Sequence, residues 1–379
     1  MRILIVKTSS LGDVIHTLPA VTDAARAIPG LRCDWVVEEA FAEIPAWHPA
    51  VEQVIPVALR RWRKHPFAAS TRREWRAFRQ RITATEYDLV IDAQGLFKSA
   101  WLAHYARGPV HGLDRASARE PLARLFYAQR HAVPWGHHAV RRVRELFAAA
   151  LAYPVPAQAC GDDDGATVAD AATYGLDRQR ILAASAPRQA PGRARFMFLH
   201  GTTWPTKHYP ESAWRELAAI ASAAGAEIHL PWGNEQEHAR AERIAAGLMG
   251  AQVLPKSTLA ELAAALMTMS ACVAVDTGLG HLAAALDIPT LSLFGPTHPG
   301  FTGAWGRRQQ RLAADFPCAP CLNKTCHPLM CLSPDPEWPC APASTQVEPP
   351  CFSCLPPQRV WAALSALAGQ TPAPPSRPR

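Results

Sequence analysis

Three short polar segments of this 379-residue chain could do chemistry, and each follows an apolar run that predicts a buried strand. In the first, residues 8–13, Asp13 opens a helix and could act as a general base or simply cap that helix. In the second, residues 200–207, hydroxyl side chains and Lys207 suit a phosphate group, although a solvated loop has the same composition. The third, residues 276–282, offers the free amides of a helix start, which suit a pyrophosphate. It matches neither the dinucleotide-binding glycine pattern nor a Walker loop.

Strands that alternate with helices must position these segments. Apolar runs predict strands at residues 3–6, 34–37, 54–57 and 87–92 in the first half, and at 195–200, 227–230, 271–276 and 290–294 in the second. Helical stretches between the strands, such as residues 14–28, favour parallel α/β sheets covered on both faces. Two such halves predict a ligand cleft between them, at the carboxyl ends of the strands.

Changes in composition predict the domain boundaries. The two α/β domains are expected at residues 1–160 and 193–315, with an interdomain linker at 161–192. Residues 316–357 are an insert rich in cysteine and proline that has no apolar periodicity. Residues 358–379 predict a short helix followed by a frayed, proline-rich tail.

The positive charge of the chain is concentrated in one segment. Lysine and arginine number 39 against 32 acidic residues, a net charge of +7. Residues 60–81 hold nine basic residues and one acidic residue, or +8, so the other residues sum to −1. A solvated surface helix would explain such a run, but its single sign favours an anionic partner. Nucleic acid, anionic lipid and a phosphorylated glycolipid all fit this charge.

Seven of the ten cysteines lie between Cys318 and Cys354. Two Cys-x-x-Cys pairs, 318/321 and 351/354, could give four thiolates to zinc, but the 29 residues between the pairs exceed the usual ribbon spacing. The sequence leaves open whether the cluster binds zinc, forms disulfides or does neither, and it assigns no metal ligand.

We expect a cytoplasmic protein with peripheral membrane contact at most. The apolar run at the amino end, residues 3–6, is too short for the core of a signal peptide. The longest nearly apolar stretch, between residues 261 and 276, is shorter than the about 20 residues that a spanning helix needs.

Residues 1–312 resemble glycosyltransferase family 9, the lipopolysaccharide heptosyltransferases. The matching motifs are residues 5–20, 34–39, 60–64, 92–96, 118–121, 230–233 and 275–279. The resemblance implies a GT-B fold, in which two Rossmann-like domains face each other across a cleft. It also implies inverting transfer of L-glycero-D-manno-heptose from ADP-heptose to the Kdo of Kdo-lipid A, at the cytoplasmic face of the inner membrane. No cofactor and no nucleic-acid partner are expected.

The resemblance assigns roles to individual residues. Asp13 is the expected general base, and Lys207 stabilises the leaving ADP. The donor-binding residues are Thr202, Thr203, Lys207, Glu237, Asp276, Thr277, Gly278, Leu279 and His281. The acceptor-binding residues are Ser10, Gly12, Arg60, Arg61, Arg63, Lys64 and Arg119.

Three features depart from the pattern of the enzymes that add the first heptose. Gly280 and the sequence Trp204-Pro205-Thr206 differ from the residues usual at these donor positions. The cysteine-rich end looks more like that of the enzymes that add the second heptose, which makes such an enzyme the main alternative. A zinc-containing nucleic-acid-binding protein is a remote alternative, since it leaves the turns at Asp13 and Asp276 unexplained.

Overall fold

The computed structural model describes residues 1–156, 174–184, 193–326 and 349–369. The chain forms two compact units, Met1–Ala184 with Gly300–Trp305 and Ser185–Pro299 with Gly306–Arg379. Each unit contains a six-stranded parallel sheet with helices, so the predicted α/β class with two Rossmann-like domains is confirmed. Within the described ranges, no helix is both long and apolar enough to cross a bilayer.

The first unit has the strand order β3-β2-β1-β4-β5-β6. Its strands are β1 (Arg2–Val6), β2 (Arg32–Glu38), β3 (Val51–Val57), β4 (Leu89–Asp92), β5 (Val110–Leu113) and β6 (Gln129–His131). Its helices are α1 (Leu11–Ala27), α2 (Glu43–Ala46), α3 (Leu59–Trp62), α4 (Ala69–Thr83), α5 (Phe97–Ala103), α6 (Ala139–Leu151) and α7 (Arg178–Ala184), with 3-10 turns at Glu39–Phe41 and Pro121–Phe126.

The second unit has the order β12-β11-β10-β7-β8-β9. Its strands are β7 (Arg195–Leu199), β8 (Glu227–Leu230), β9 (Ala251–Val253), β10 (Ala271–Val275), β11 (Thr290–Phe294) and β12 (Gln309–Ala313). Its helices are α8 (Glu211–Ala223), α9 (Glu235–Ala245), α10 (Leu259–Leu266), α11 (Gly278–Ala285) and α13 (Pro357–Ala368), with 3-10 turns at Pro205–Lys207 and Pro350–Cys354, and the short helix α12 (Pro299–Thr302) begins at its boundary with the first unit.

The central strands position the candidate residues. Strands β1 and β10 are almost wholly buried, because both faces of a parallel sheet are covered by helices. Strand order reverses between β1 and β4 in the first sheet and between β7 and β10 in the second. Ligands of such folds bind at this reversal, outside the carboxyl ends of the strands. All three polar segments lie there.

All eight predicted strands are present, and four further strands, β5, β6, β9 and β12, were missed. These four lie at or next to a sheet edge, where one side of the strand lacks a neighbour. Strand β6 is entirely polar, and β9 and β12 mix polar with partly exposed apolar side chains, so these three strands give no apolar run.

The predicted linker and insert both contain ordered structure. Helix α7, within residues 161–192, lies against the first unit, where the Asp177 amide donates to Trp47 O at 2.9 Å. In the Cys/Pro-rich insert, Phe352 and Leu355 are buried in the core of the second unit. Linker residues 161–173 and 185–192, the boundary at residue 160, residues 327–348 and the tail from 370 lie outside the described residues.

A buried ion pair joins helices α1 and α6 of the first unit. Arg144 on α6 donates from Nε to Asp23 Oδ2 on α1 at 2.5 Å and from Nη2 to Oδ1 at 3.1 Å. Both side chains are almost fully buried. Burial makes each charge dependent on the other, since removing one leaves an uncompensated ion away from water.

We expect Arg144→Met to lower the free energy of unfolding of the first unit by about 3–5 kcal/mol, because Asp23 then stays buried without its partner. Denaturant unfolding followed by fluorescence measures the change. Arg107→Met is the control, since Arg107 and Glu86 form an exposed pair at 3.5 Å. Loss of this exposed pair should lower the free energy of unfolding by no more than about 1 kcal/mol. Similar small decreases in the free energy of unfolding of both variants would contradict the conclusion that the stability of the first unit depends on the buried pair.

Candidate active site

Asp13 lies in the first turn of α1 and is half-buried. Its Oδ2 accepts hydrogen bonds from the Ser10 amide at 2.6 Å and the Ser10 hydroxyl at 2.9 Å. Ser10 is the residue that caps α1, so Asp13 completes a capping box. The cap predicted as the alternative role is therefore present, and it fixes the carboxylate at the end of β1.

Gln94 holds the backbone that precedes this cap. Its Oε1 accepts from the amides of Thr8 at 3.0 Å and Ser9 at 3.2 Å. Its Nε2 donates to the carbonyl of Ser9 at 2.6 Å. One side chain from the end of β4 thus makes three hydrogen bonds to the loop after β1.

Asp92 fixes Gln94 in turn. Its Oδ1 accepts hydrogen bonds from the amides of Gln94 at 2.9 Å and Gly95 at 3.4 Å. Its Oδ2 accepts from the hydroxyl of Ser99 at 2.9 Å and from that of Tyr127 at 2.6 Å. The side chain is fully buried, and burial raises the pKa of its carboxyl while these hydrogen bonds oppose the rise. Gly95 turns the chain here with a φ of +68°, which favours glycine.

Lys7 is a buried cation at the same strand ends. Its Nζ donates to the carbonyl of Ala93 at 2.8 Å. Burial lowers the pKa of its ammonium, and the negative charges of Asp13 and Asp92 oppose that change. The positive charge of Arg119 adds to the lowering, which indicates that this predicted acceptor residue lies near the cluster.

The predicted basic run lies on α3 and the residues after it. Arg60, Arg61, Arg63 and Lys64 are all exposed. Arg61 is nonetheless paired, because its guanidinium contacts Glu39 at 2.9 Å and Glu74 at 2.9 Å. Hydrogen bonds to these carboxylates raise its pKa. Arg61 is therefore less available to an anion than its neighbours in the run.

Lys98 extends the basic surface from α5. Burial lowers the pKa of its ammonium, and the nearby charges of Arg63 and Arg60 lower it further. Lys98 on α5 therefore lies near Arg60 and Arg63, with the carboxylates of Glu38 and Glu120 close enough to oppose the lowering of its pKa. A count of charged residues along the sequence identifies only the basic residues on and next to α3 and α4.

Asp276 is the centre of the cluster in the second unit. Its Oδ2 forms an ion pair with Lys207 Nζ at 2.6 Å and accepts from the Thr297 hydroxyl at 2.8 Å. Its carbonyl accepts from the Thr202 hydroxyl at 3.1 Å, and His281 Nε2 lies 4.0 Å from Oδ1. The turns after β7 and β10 are thereby joined through one residue.

The other predicted donor residues lie beside Asp276 or next to it in the chain. Thr277 is the N-cap of α11, and Gly278 and Leu279 form its first turn, with all three half-buried. Their position places the free amides and the positive end of the helix dipole beside Lys207 and Asp276. Thr203 is exposed in the β7 turn.

Glu237 reaches the same region from α9. Its Oε2 accepts from the Gly233 amide at 2.7 Å. A Cβ atom on Gly201 would lie 2.8 Å from Glu237 Oε1, so a larger residue at this position would have to displace the Glu237 carboxylate. The contact places Glu237 against the turn after β7, together with the predicted phosphate-binding residues.

Two histidines behind this turn are held neutral. Arg240 Nη1 lies 2.8 Å from His208 Nδ1 and 3.5 Å from the carbonyl of His200. Burial, assisted by the charge of Arg240, lowers the pKa of both imidazoles to about 4. Neither histidine can therefore attract an anion by charge at neutral pH, and Lys207 is the cation at the surface of the turn.

Four cysteines of the insert line one cavity behind the turn. Cys318, Cys321, Cys326 and Cys351 line it together with Thr206 and Asn323. No disulfide joins two of the seven cysteines in the described part of the chain. Those parts contain no group of three or more potential ligands arranged to hold a metal ion. Cys331, Cys340 and His327 lie outside the described residues.

The ammonium of Lys324, from the Cys/Pro-rich insert, lies 5.2 Å from the centroid of the Trp204 ring in the β7 turn. Sequence reasoning missed five residues that contribute to these clusters: Asp92, Gln94, Lys98, Thr297 and Lys324. Asp92, Gln94 and Thr297 end or follow predicted strands, so the rule that found the three polar segments could have found them. Lys98 and Lys324 have no such signal, because their neighbours come from distant parts of the chain.

Comparison with known proteins gives consistent matches. The family model for glycosyltransferase family 9 (heptosyltransferase) matches residues 75–330. Lipopolysaccharide heptosyltransferase 1 of Pseudomonas aeruginosa is 58% identical over 368 residues, which cover 97% of this chain and 98% of that protein.

Two solved structures of the Escherichia coli heptosyltransferase WaaC are similar to the chain. The structure with ADP has a TM-score of 0.75 and 49% identity, and covers 83% of this chain and 93% of its own. The structure with ADP-2-deoxy-2-fluoro heptose has a TM-score of 0.73 and 48% identity, with the same coverage.

Loss of the Gln94 side chain should free the loop that leads to Asp13. We expect Gln94→Ala to increase hydrogen exchange at the Thr8 and Ser9 amides by about fivefold or more, since each loses a bond worth about 1 kcal/mol or more. Amide exchange read by NMR measures the effect. Gln80→Ala, at an exposed position on α4, is the control. Unchanged protection at Thr8 and Ser9 would contradict the role of Gln94.

Proposed function

The chain belongs to glycosyltransferase family 9, the heptosyltransferases, and on this basis we propose that it adds the first heptose of the lipopolysaccharide inner core. It transfers L-glycero-D-manno-heptose from ADP-heptose to the Kdo of Kdo-lipid A. The observation that carries this assignment is the 58% identity, over nearly the whole of both chains, to a lipopolysaccharide heptosyltransferase 1. The two Rossmann-like units fit the GT-B fold expected from the sequence.

ADP-heptose binds at the strand ends of the second unit. The hydroxyl of Thr202, the ammonium of Lys207 and the amides of residues 277–279 contact the diphosphate, and Glu237 contacts the ribose. The ion pair at 2.6 Å between Lys207 and Asp276 supports this assignment, because it fixes a cation beside the free amides of α11. These fixed groups stabilise the charge on the leaving ADP without a metal ion.

Asp13 is the general base. The acceptor hydroxyl attacks the anomeric carbon from the side opposite the ADP, the new glycosidic bond forms as the bond to the phosphate breaks, and Asp13 takes the proton. The transfer therefore inverts the anomeric centre. Two hydrogen bonds from Ser10 to Asp13 Oδ2 support this role, because they hold the carboxylate in one orientation.

The acidic acceptor binds to the basic surface of the first unit. Arg60, Arg63, Lys64 and Arg119 supply charge, and Lys98 joins them from α5. Arg61 offers the acceptor less positive charge than its neighbours do, since Glu39 and Glu74 already pair with it. Transfer of the second heptose is the alternative that the cysteine-rich end favours, and the choice of acceptor separates the two reactions.

The decisive measurement is ADP release from ADP-heptose with deacylated Kdo-lipid A, in the presence of EDTA. We expect release that depends on the acceptor and survives EDTA. Asp13→Asn should reduce the rate by about 10²–10⁴-fold, because it cannot take the proton. Lys207→Ala should reduce it by about 10²–10³-fold.

Each failure in this assay has a distinct meaning. Full activity in folded Asp13→Asn protein would rule out Asp13 as the general base. Loss of release in EDTA would contradict metal-free transfer. Release only when a heptose is already present on the acceptor would move the assignment to the second transfer.

An apolar surface beside the cationic residues supports attachment to the inner membrane at its cytoplasmic face. On α5 and the 3-10 turn Pro121–Phe126, Phe97 is 47% exposed, Trp101 37%, Leu122 63% and Leu125 66%. The two elements pack together, with the Phe97 and Phe126 ring centroids 5.3 Å apart. Exposed apolar groups next to lysine and arginine suit an anionic bilayer surface.

The double variant Leu122→Ser/Leu125→Ser should bind about tenfold or more weakly to vesicles of phosphatidylethanolamine and phosphatidylglycerol, since it removes two apolar side chains from the bilayer surface. Co-sedimentation measures the binding. Met249→Ser, at a fully exposed position of the second unit, is the control. Equal binding by all three proteins, or equal binding to neutral phosphatidylcholine vesicles, would refute this surface.

A further inference from the structure

The Cys/Pro-rich insert packs directly against the turn that holds Lys207. The Thr206 hydroxyl donates to the carbonyl of Asn323 at 2.6 Å. The Leu322 amide donates to the carbonyl of Pro296 at 2.8 Å, next to Thr297, which binds Asp276. Residues 322–324 are therefore held at the edge of the proposed donor site from two sides.

Lys324 and Lys207 contact the same aromatic ring. The Lys207 ammonium lies 4.5 Å from the centroid of the Trp204 ring, and the Lys324 ammonium lies 5.2 Å from it. Lys207 also pairs with Asp276, whereas the exposed ammonium of Lys324 rests on the ring. Trp204 thus holds two cations by cation–π contact within the same turn.

Charge balance shows what the second cation adds. Lys207 and Asp276 form an ion pair at 2.6 Å, so together they carry no net charge. The free amides of α11 contribute about half a positive charge. A nucleoside diphosphate that leaves a sugar carries at least two negative charges. The Lys324 ammonium raises the positive charge near Trp204 by a full unit, where the pair alone provides none.

We propose that Lys324 is a second cationic residue of the donor site and binds the diphosphate of the nucleotide sugar. Trp204 is the platform that aligns both ammonium groups. The Cys/Pro-rich insert thereby supplies a functional group to the donor site in addition to its packing role. The inference rests on the proposed function, since it takes the Lys207 turn as the diphosphate site.

The test is ADP binding by titration calorimetry, with adenosine as a ligand that lacks the diphosphate. We expect Lys324→Ala to weaken ADP binding by about three- to tenfold, as for an exposed charge that meets a charged ligand, and to leave adenosine binding unchanged. Lys324→Arg should restore most of the affinity, because it keeps the charge and the contact with the ring. Arg215→Ala, which removes an exposed positive charge from α8, is the matched control.

Lys207→Ala, measured in parallel, separates the inference from the proposed function. Normal ADP affinity in Lys207→Ala protein would overturn the donor site and the inference together. Weak binding by Lys207→Ala but normal binding by Lys324→Ala would overturn the role of Lys324 alone. Equal losses for ADP and adenosine in Lys324→Ala protein, or no rescue by Lys324→Arg, would also overturn it, since a packing defect would then explain the loss.

Discussion

In each sheet the first three strands along the chain lie side by side, from the centre of the sheet to one edge. The fourth strand pairs with the first on its other side, and the last three strands extend to the opposite edge. Loops that follow the two central strands must then leave in opposite directions, and the carboxyl ends between them stay uncovered. Residues 7–13 and 92–95 fill that gap in the first unit, and residues 200–207 and 276–279 fill it in the second. The hydrogen bonds from Gln94 to the loop before Asp13, and the contacts of Thr202 and Lys207 with Asp276, depend on this geometry.

This constraint explains which parts of the site the sequence predicts. Central strands are buried on both faces, so their apolar runs and the polar turns after them are visible in the sequence. Edge strands such as β6 and β9 have no such run and were missed. Asp92 and Gln94 followed a predicted strand, but their role depends on the loop after β1, to which only the folded sheet brings them.

Charge is the property for which sequence and structure differ most. The run at residues 60–81 has a net charge of +8 in the sequence, yet Arg61 is paired with Glu39 and with Glu74, the one acidic residue of the run. Lys98 lies in a different segment and belongs to the same surface. In the second unit, the sequence marks Lys207 as a cation, but Asp276 balances it. Counting residues gives the sign of a surface, whereas pairing decides how much of its charge a ligand meets.

The bonds from Ser10 to Asp13 couple folding to chemistry at a single atom. Asp13 Oδ2 completes the cap of α1, and the same carboxylate takes the proton in the proposed reaction. A glutamate, longer by one methylene group, would shift the proton acceptor and also disturb the first turn of a helix whose next residues are buried in the core. Evolution therefore cannot tune the reactivity of this group independently of the helix, and the position has much less freedom to drift than either role alone would allow.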